Sequence, residues 1–276
     1  MKKIVKKLYH KHGARLYSIF GKKPWRVGYV PYKFAAIRRA IGQGALRERI
    51  LPRGYGFRLD ERIIEYPWLF SRLPSCEGNL LDAGSVLNYE FLLSHKLLTN
   101  KRVFISTLAP ESNCYWSWAV SYVYEDLRNS CFRDNYFDWV VSLSTIEHIG
   151  LDNTMLYTRD EAKRENSDDA YLAAVMEFRR LLKPGGTVFL SMPFGQRRNH
   201  GWFQIFDAEM IEGILKAFAP AMHREMYFKY QPEGWIVSNR EQCSDATYFD
   251  IHSQKEYDPD FAAASRAIVC LELVKP

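Results

Sequence analysis

A doubly wound α/β sheet of seven mostly parallel strands, preceded by a helical N-terminal segment, is the fold this sequence predicts. Three observations predict it. FDWVVSLSTIEHIG (137–150) and GTVFLSMPFG (186–195) are apolar runs that end abruptly in polar residues, as buried parallel strands do at their carboxyl ends. AYLAAVMEFRRLL (170–182) lies between them with helical spacing, which completes a βαβ unit. From Gly78 to the C-terminus, strand-like runs and helical stripes alternate.

Each element has its own signal. Residues 1–75 read as a basic N-terminal cap: a Lys-rich amphipathic start, a turn region rich in Gly and Pro, a helix near 32–41, and DERIIEYPWLFSRLP. The remainder, 76–276, is the sheet domain. NLLDAG (79–84) is a short strand ending in small residues, and NYEFLLSHKLL (88–98) carries a helical apolar stripe. RVFISTL (102–108), YVYEDL (122–127) and FDWVVSLS (137–144) follow as strands. Ser167 and two aspartates are placed to cap the helix over 170–182, and Lys183-Pro184-Gly185-Gly186 to stop it. GTVFLSMPF (186–194) is the fifth strand, DAEMIEGILKAF (207–218) a helix, and HREMYFKY and SRAIVCLELV the last two strands.

Composition narrows the class. At 276 residues, 47% hydrophobic and 25% charged, the chain suits one large core with an appendage, and no apolar run approaches the ~20 residues of a spanning helix. The five cysteines are scattered and form no CxxC pair, so neither structural zinc nor a disulfide framework is expected; a reducing, cytoplasmic setting is. No metal-ligand spacing is legible, His10 and His12 lying in the basic start and the other histidines standing apart. The first fifty residues hold 14 Lys or Arg against the single acid Glu48, a balance of +13 in a chain whose net charge is +6. The opening lacks the continuous apolar core of a signal peptide, so retention is expected. A basic amphipathic segment suits an anionic membrane face or nucleic acid, and a solvated helix packing one stripe on its own domain explains the same pattern.

The turn after the first strand reads Asp82-Ala83-Gly84-Ser85-Val86-Leu87-Asn88. It holds neither GxGxxG nor GK[ST], which disfavours a pyrophosphate or triphosphate cofactor. An acid closing the strand beside one glycine suits instead a ligand with a cationic amino-acid end and a ribose. With YEDLRNSCFRDNYFDWVVSLSTIEHIG and RRLLKPGGTVFLSMPFG following in order, the chain from Gly78 onward resembles the class I S-adenosylmethionine-dependent methyltransferases. The resemblance implies a Rossmann-like methyltransferase sheet and S-adenosylmethionine as cofactor. It places Asp82, Gly84 and Ser85 at the methionyl end, Asp126 and Leu127 at the adenine, and Ser144 beside the sulfonium. Thr107, with Glu111 a few residues on, stands where the family usually ends its second strand in an acid that holds the ribose.

Methyl transfer asks the protein to position two reactants and take a proton from the acceptor. His148, after the fourth strand and beside Glu147, is the leading base, and His200 in QRRNHGWFQIFD is the second candidate. Trp202 and Gln204 in that loop and Trp235 in QPEGWIVSNREQCSDATYF (231–249) are candidate acceptor contacts, while Tyr66 is a candidate lid residue over the cofactor. The polar insert LDNTMLYTRDEAKRENSDD (151–169) lies where acceptor loops sit in the family. STIEH replaces the [DN]PP[FYW] tetrad of enzymes that methylate base amines, so a hydroxyl acceptor is expected. The long aromatic loops resemble methyltransferases that modify sugars of bacterial surface polysaccharides or other glycoconjugates, which would place the protein on the inner membrane face. An RNA methyltransferase using the basic start, and an inactive fold retained as a scaffold, are the alternatives.

Overall fold

The computed structural model describes residues 12–19, 22–47, 50–158, 160–250, 260 and 264–276. Most of the basic opening stretch, read above as facing a membrane or a partner, therefore lies outside the described residues. The chain divides into two compact units, Met1–Leu73 with Tyr227–Ile268, and Pro74–Met226 with Val269–Pro276. No helix among the described residues is long and apolar enough to cross a membrane.

The second unit is built on strands whose apolar runs were visible in the sequence: β1 (Gly78–Ala83), β2 (Lys101–Thr107), β3 (Ser121–Tyr124), β4 (Phe137–Leu143) and β5 (Leu182–Pro193). β1 pairs in parallel with both β2 and β4, β2 with β3, and β4 with β5. With the two-residue strands β6 (Arg198–Asn199) and β7 (Gln204–Ile205) forming a separate antiparallel ribbon, β8 (Met222–Gln231), β9 (Gly234–Ser238) and β10 (Ala267–Val274) complete the main sheet. Its order is β3-β2-β1-β4-β5-β10-β8-β9. This is the expected doubly wound, mostly parallel, Rossmann-like sheet, with helices at the N-terminal end. Val140, Val141, Leu143, Val188, Phe189 and Leu190 on β4 and β5 are buried, as are Ala174, Val175 and Phe178 on the helix Tyr171–Leu181 between them. Burial of both sheet faces is why these strands read as continuous apolar runs.

Four local expectations differ from what forms. The stripe over 88–98 is two single turns, Glu90–Leu93 and Lys96–Thr99, because the His95 ring accepts from Leu97 N–H at 3.2 Å and restarts the helix. Ser167 is no helix cap; its hydroxyl donates to Asp169 and the helix begins at Tyr171. Lys183-Pro184-Gly185-Gly186 does end that helix, but the chain passes directly into β5, where Gly185 N–H donates to Lys275 O and Lys275 N–H to Gly186 O. The segment 231–249, read as an acceptor loop, instead turns back as β9, antiparallel to β8, and adds an eighth strand.

The first unit contains the helices Tyr29–Gly42 and Arg62–Arg72. Its interior is aromatic: Tyr17, Tyr29, Trp68 and Trp235 are essentially sealed. Trp235 donates its indole N–H to Leu59 O at 3.0 Å, and its backbone N–H to Tyr55 O at 2.7 Å. Such partners satisfy the polar tip of a buried tryptophan. A buried carboxylate, Asp60, takes the Tyr29 hydroxyl at 2.9 Å and the Lys33 ammonium at 2.5 Å, which is how a charge survives burial. The cap expected over 1–75 thus shares its unit with residues 227–268.

Candidate active site

In the strand order, the connections leaving β1 and β4 run in opposite directions, and the carboxyl ends of these two neighbours form the switch point where open α/β sheets bind ligands. The backbone there is strained in the same places. Ser85, just after β1, has φ +60°, and Ser144, just after β4, has φ +40°, both in the left-handed region that side chains disfavour. Gly84 has φ +120°, and a Cβ built on it would collide with Thr145 Oγ1 and lie 2.5 Å from Thr145 Cγ2. Only glycine lets the two loops approach so closely.

Asp82 holds the first of these loops. Its buried carboxylate accepts Val86 N–H at 2.9 Å and Leu87 N–H at 2.8 Å, one on each oxygen. Charge-assisted bonds to two amides fix the turn that carries Gly84.

A cavity of about 350 Å³ opens beside this edge, within the ~300–1,000 Å³ of small-molecule pockets. Gly84, Thr107, Asp126, Leu127 and His148 line it, so five of the residues singled out in the sequence converge on one space. Thr145 lines it too, and its far wall is the insert after β4, including Tyr157 and 162–165.

His148 sits at the end of a short 3-10 turn, Ile146–His148, and its Nδ1 lies 2.9 Å from Trp202 O. A carbonyl can only accept, so Nδ1 carries the hydrogen, and in the neutral form of the ring Nε2 is the acceptor nitrogen. The Asn153 amide donates to His148 O at 2.5 Å and Leu151 O at 3.0 Å, tightening the turn beneath the ring. Burial, followed by the charges of Glu111 and Glu147, raises the Tyr157 phenol above its usual pKa, so it remains a neutral donor at working pH.

The cavity lining also holds an ion cluster. Arg128 Nε donates to Asp126 Oδ1 at 3.0 Å and its Nη2 to Oδ2 at 2.5 Å; Nη1 and Nη2 also reach Glu165 at 2.7 and 2.6 Å. Burial opposes ionisation of Asp126, but the bonds from Arg128 outweigh it and leave that carboxyl below its usual pKa. Hydrogen bonds that Arg128 donates to Asp126 and Glu165 hold the guanidinium charged.

Other expected site residues fall elsewhere. Asp82 acts on the loop and does not line the cavity; Ser85 and Ser144 are next to the lining residues Gly84 and Thr145 and do not line it themselves. Glu147 is 2% exposed and lies beneath the rim, not at an acceptor surface. His200 does not line the cavity: it stacks on Phe203 at 4.4 Å, and its N–H closes the β6–β7 ribbon on Phe203 O. Trp202 contributes its main-chain carbonyl to His148. Gln204 is buried and donates to Asp168 O, which ties the ribbon to the end of the insert. Trp235, read as an acceptor plate, is core of the first unit at 1% exposure, and Tyr66 is likewise buried in the helix Arg62–Arg72. Sequence reading missed Arg128, Tyr157 and Glu165, while Thr145 lies in the strand-end segment 144–148 that the sequence marks as the sheet's carboxyl edge. The segment 151–169 had been singled out for its polarity, but nothing in it marked Glu165 as the partner of an arginine 37 residues earlier. No group of three or more His, Cys, Asp or Glu among the described residues is placed to hold a metal ion.

Residues 99–190 match the family model described as a methyltransferase domain. The matched segment, a third of the chain, runs from the start of β2 through most of β5 and holds all the cavity-lining residues except Gly84. No curated protein sequence matches the chain. Similar solved structures include the 1,6-didemethyltoxoflavin-N1-methyltransferase of Burkholderia thailandensis, 14% identical, covering 99% of this chain and 88% of that one with a TM-score of 0.45. A phosphoethanolamine N-methyltransferase of Haemonchus contortus is 17% identical, with 73% and 49% covered and a TM-score of 0.44. The N-methyltransferase NodS of Bradyrhizobium japonicum is 12% identical, with 72% and 78% covered and a TM-score of 0.37. At such scores the likeness bears on neither substrate nor mechanism.

Proposed function

We propose that this chain is an S-adenosylmethionine-dependent methyltransferase acting on a hydroxyl of a saccharide or similar small polyhydroxylated acceptor. The observation that carries the reading is the cavity at the switch point, walled by Gly84 on one side and on the other by a histidine whose Nδ1–H is committed to a carbonyl. The cavity fits the cofactor in size and in chemistry: a bare glycine wall for close approach, Thr107 as a hydroxyl partner for a ribose, and Leu127 with Asp126 at the end of β3 for an adenine. When bound, S-adenosylmethionine supplies an electrophilic methyl group on a sulfonium. The protein's own part is to hold the acceptor in line and accept its proton at His148 Nε2, with the Tyr157 phenol donating to an acceptor oxygen. A base matters for a hydroxyl, which must lose its proton as the new bond forms; a neutral amine already presents a lone pair. That difference favours oxygen as the acceptor.

Calorimetric titration with S-adenosylmethionine and S-adenosylhomocysteine tests the core of the reading. Binding of both is expected, and a protein that binds neither is no methyltransferase. Acceptor class is tested by following methyl incorporation into neutral oligosaccharides and into RNA side by side; incorporation into RNA alone overturns the saccharide assignment.

A further inference from the structure

The insert after β4 is a closed loop with a defined hinge. Ser167 N–H donates to Gly150 O at 2.8 Å, pinching its two ends together. Gly150, at φ +84°, has no room for a side chain, because a Cβ there would collide with Ala170 Cβ and lie 2.5 Å from Ser167 O. Within the loop, Arg164 pairs with Asp152 at 3.0 Å, which draws its outgoing limb back to the base. The base is therefore fixed by contacts within the loop's own ends.

Its far limb is held differently. Glu165, which lines the cavity, accepts from Arg128, a lining residue of the loop after β3, through two bonds of 2.6 and 2.7 Å. The other side of the same guanidinium is filled by Asp126, which Arg128 also engages through its own backbone N–H at 2.9 Å. Arg128 and Glu165 are partly exposed, at 27% and 40% of their side-chain surface, so the bridge lies at the mouth and not in the core. A planar guanidinium satisfied by a carboxylate on each side has one geometry in which all its bonds are made. Opening the insert breaks the Glu165 bonds and leaves the Asp126 bonds in place.

We propose that Arg128 and Glu165 form a latch, positioning residues that keep the insert closed over the ligand in the cavity and so set how long that ligand stays. The inference rests on the reading of the cavity as a cofactor site. Asp126 is the fixed half of the latch: it presents Arg128 to the insert, and its carboxylate is engaged by that arginine. The cofactor's nucleoside end is retained by closure of the insert across it.

The test compares wild type with Glu165→Gln, Arg128→Gln and the double variant. S-adenosylhomocysteine dissociation is followed by stopped-flow tryptophan fluorescence, and cleavage of the ligand-free proteins after Lys163 and Arg164 by limited trypsin digestion. Each single variant is expected to release S-adenosylhomocysteine about tenfold faster with nearly unchanged association, as loss of an exposed bidentate pair implies. The double variant is expected to be no faster than Arg128→Gln, in which the Glu165 bonds are already lost. Cleavage at the insert is expected to accelerate in all three variants. Wild-type dissociation and cleavage rates in Glu165→Gln would overturn the latch, as would additive effects in the double variant. If the wild-type protein binds no S-adenosylhomocysteine, the proposed function fails, and the cleavage rates alone decide whether the insert is latched.

Discussion

At the scale of single residues, the site depends on a few atoms with no alternative. Gly84→Ala is expected to lose S-adenosylhomocysteine binding and about 1–3 kcal/mol of stability, because it adds both a strained φ and a clash with Thr145; calorimetry and urea unfolding measure the two effects. Asp82→Ala strands two buried amides of the cofactor loop, at a cost of about 2–4 kcal/mol, and is expected to abolish binding; a variant with wild-type affinity would show that the loop stands without its carboxylate. For His148→Gln the expectation is a fall in kcat of about 10²–10⁴ with KM for the cofactor nearly unchanged, the pattern of a lost general base. Asp82, Gly84 and His148 were legible because each follows an apolar run whose end is visible in the sequence. Glu147 follows the same run, but in the tight 3-10 turn it is buried while its neighbour lines the cavity. No sequence spacing distinguishes those two placements.

Secondary elements were legible where the signal was long and local. The helix Ala208–Phe218 begins after Asp207, whose side chain accepts Met210 N–H at 2.9 Å, as a cap should. Asp207→Ala is expected to lower stability by about 1 kcal/mol in urea unfolding with no change in ligand affinity. The stripe over 88–98 misled because apolar periodicity records which face is buried and not whether the backbone runs on unbroken; His95 interrupts it through one ring nitrogen. The insert shows a different limit. Its ion pairs connect it to a loop distant in sequence, and charge alone gives no register. Because the Arg128–Glu165 bridge is partly exposed, its contribution is expected to weaken with salt, with dissociation of S-adenosylhomocysteine from wild type accelerating between low and about 0.5 M ionic strength while Glu165→Gln responds little.

For the whole molecule, the doubly wound class of the sheet followed from the alternation of runs and helices, since crossover rules leave few arrangements for such a pattern. Unit membership did not. Residues 227–268 read as the tail of the sheet domain, yet Trp235 meets Leu59 across 176 residues of chain, and no local pattern announces a partner so distant. Trp235→Ala is expected to cost about 3–5 kcal/mol, the usual range for emptying a sealed aromatic site, and tryptophan fluorescence during unfolding would report it. An exposed acceptor plate at that position would instead tolerate alanine within about 0.5 kcal/mol.

The bond that orients His148 comes from the main chain of residue 202 and not from its side chain. The tautomer is thus written into the path of the β6–β7 ribbon, and any residue other than one that bends the chain preserves it. An exchange at position 202 therefore leaves that hydrogen bond in place and removes only the packing of the indole on the His148 ring, 5.1 Å between centroids. A change in the length of the ribbon, by contrast, moves the carbonyl and with it the aim of the ring.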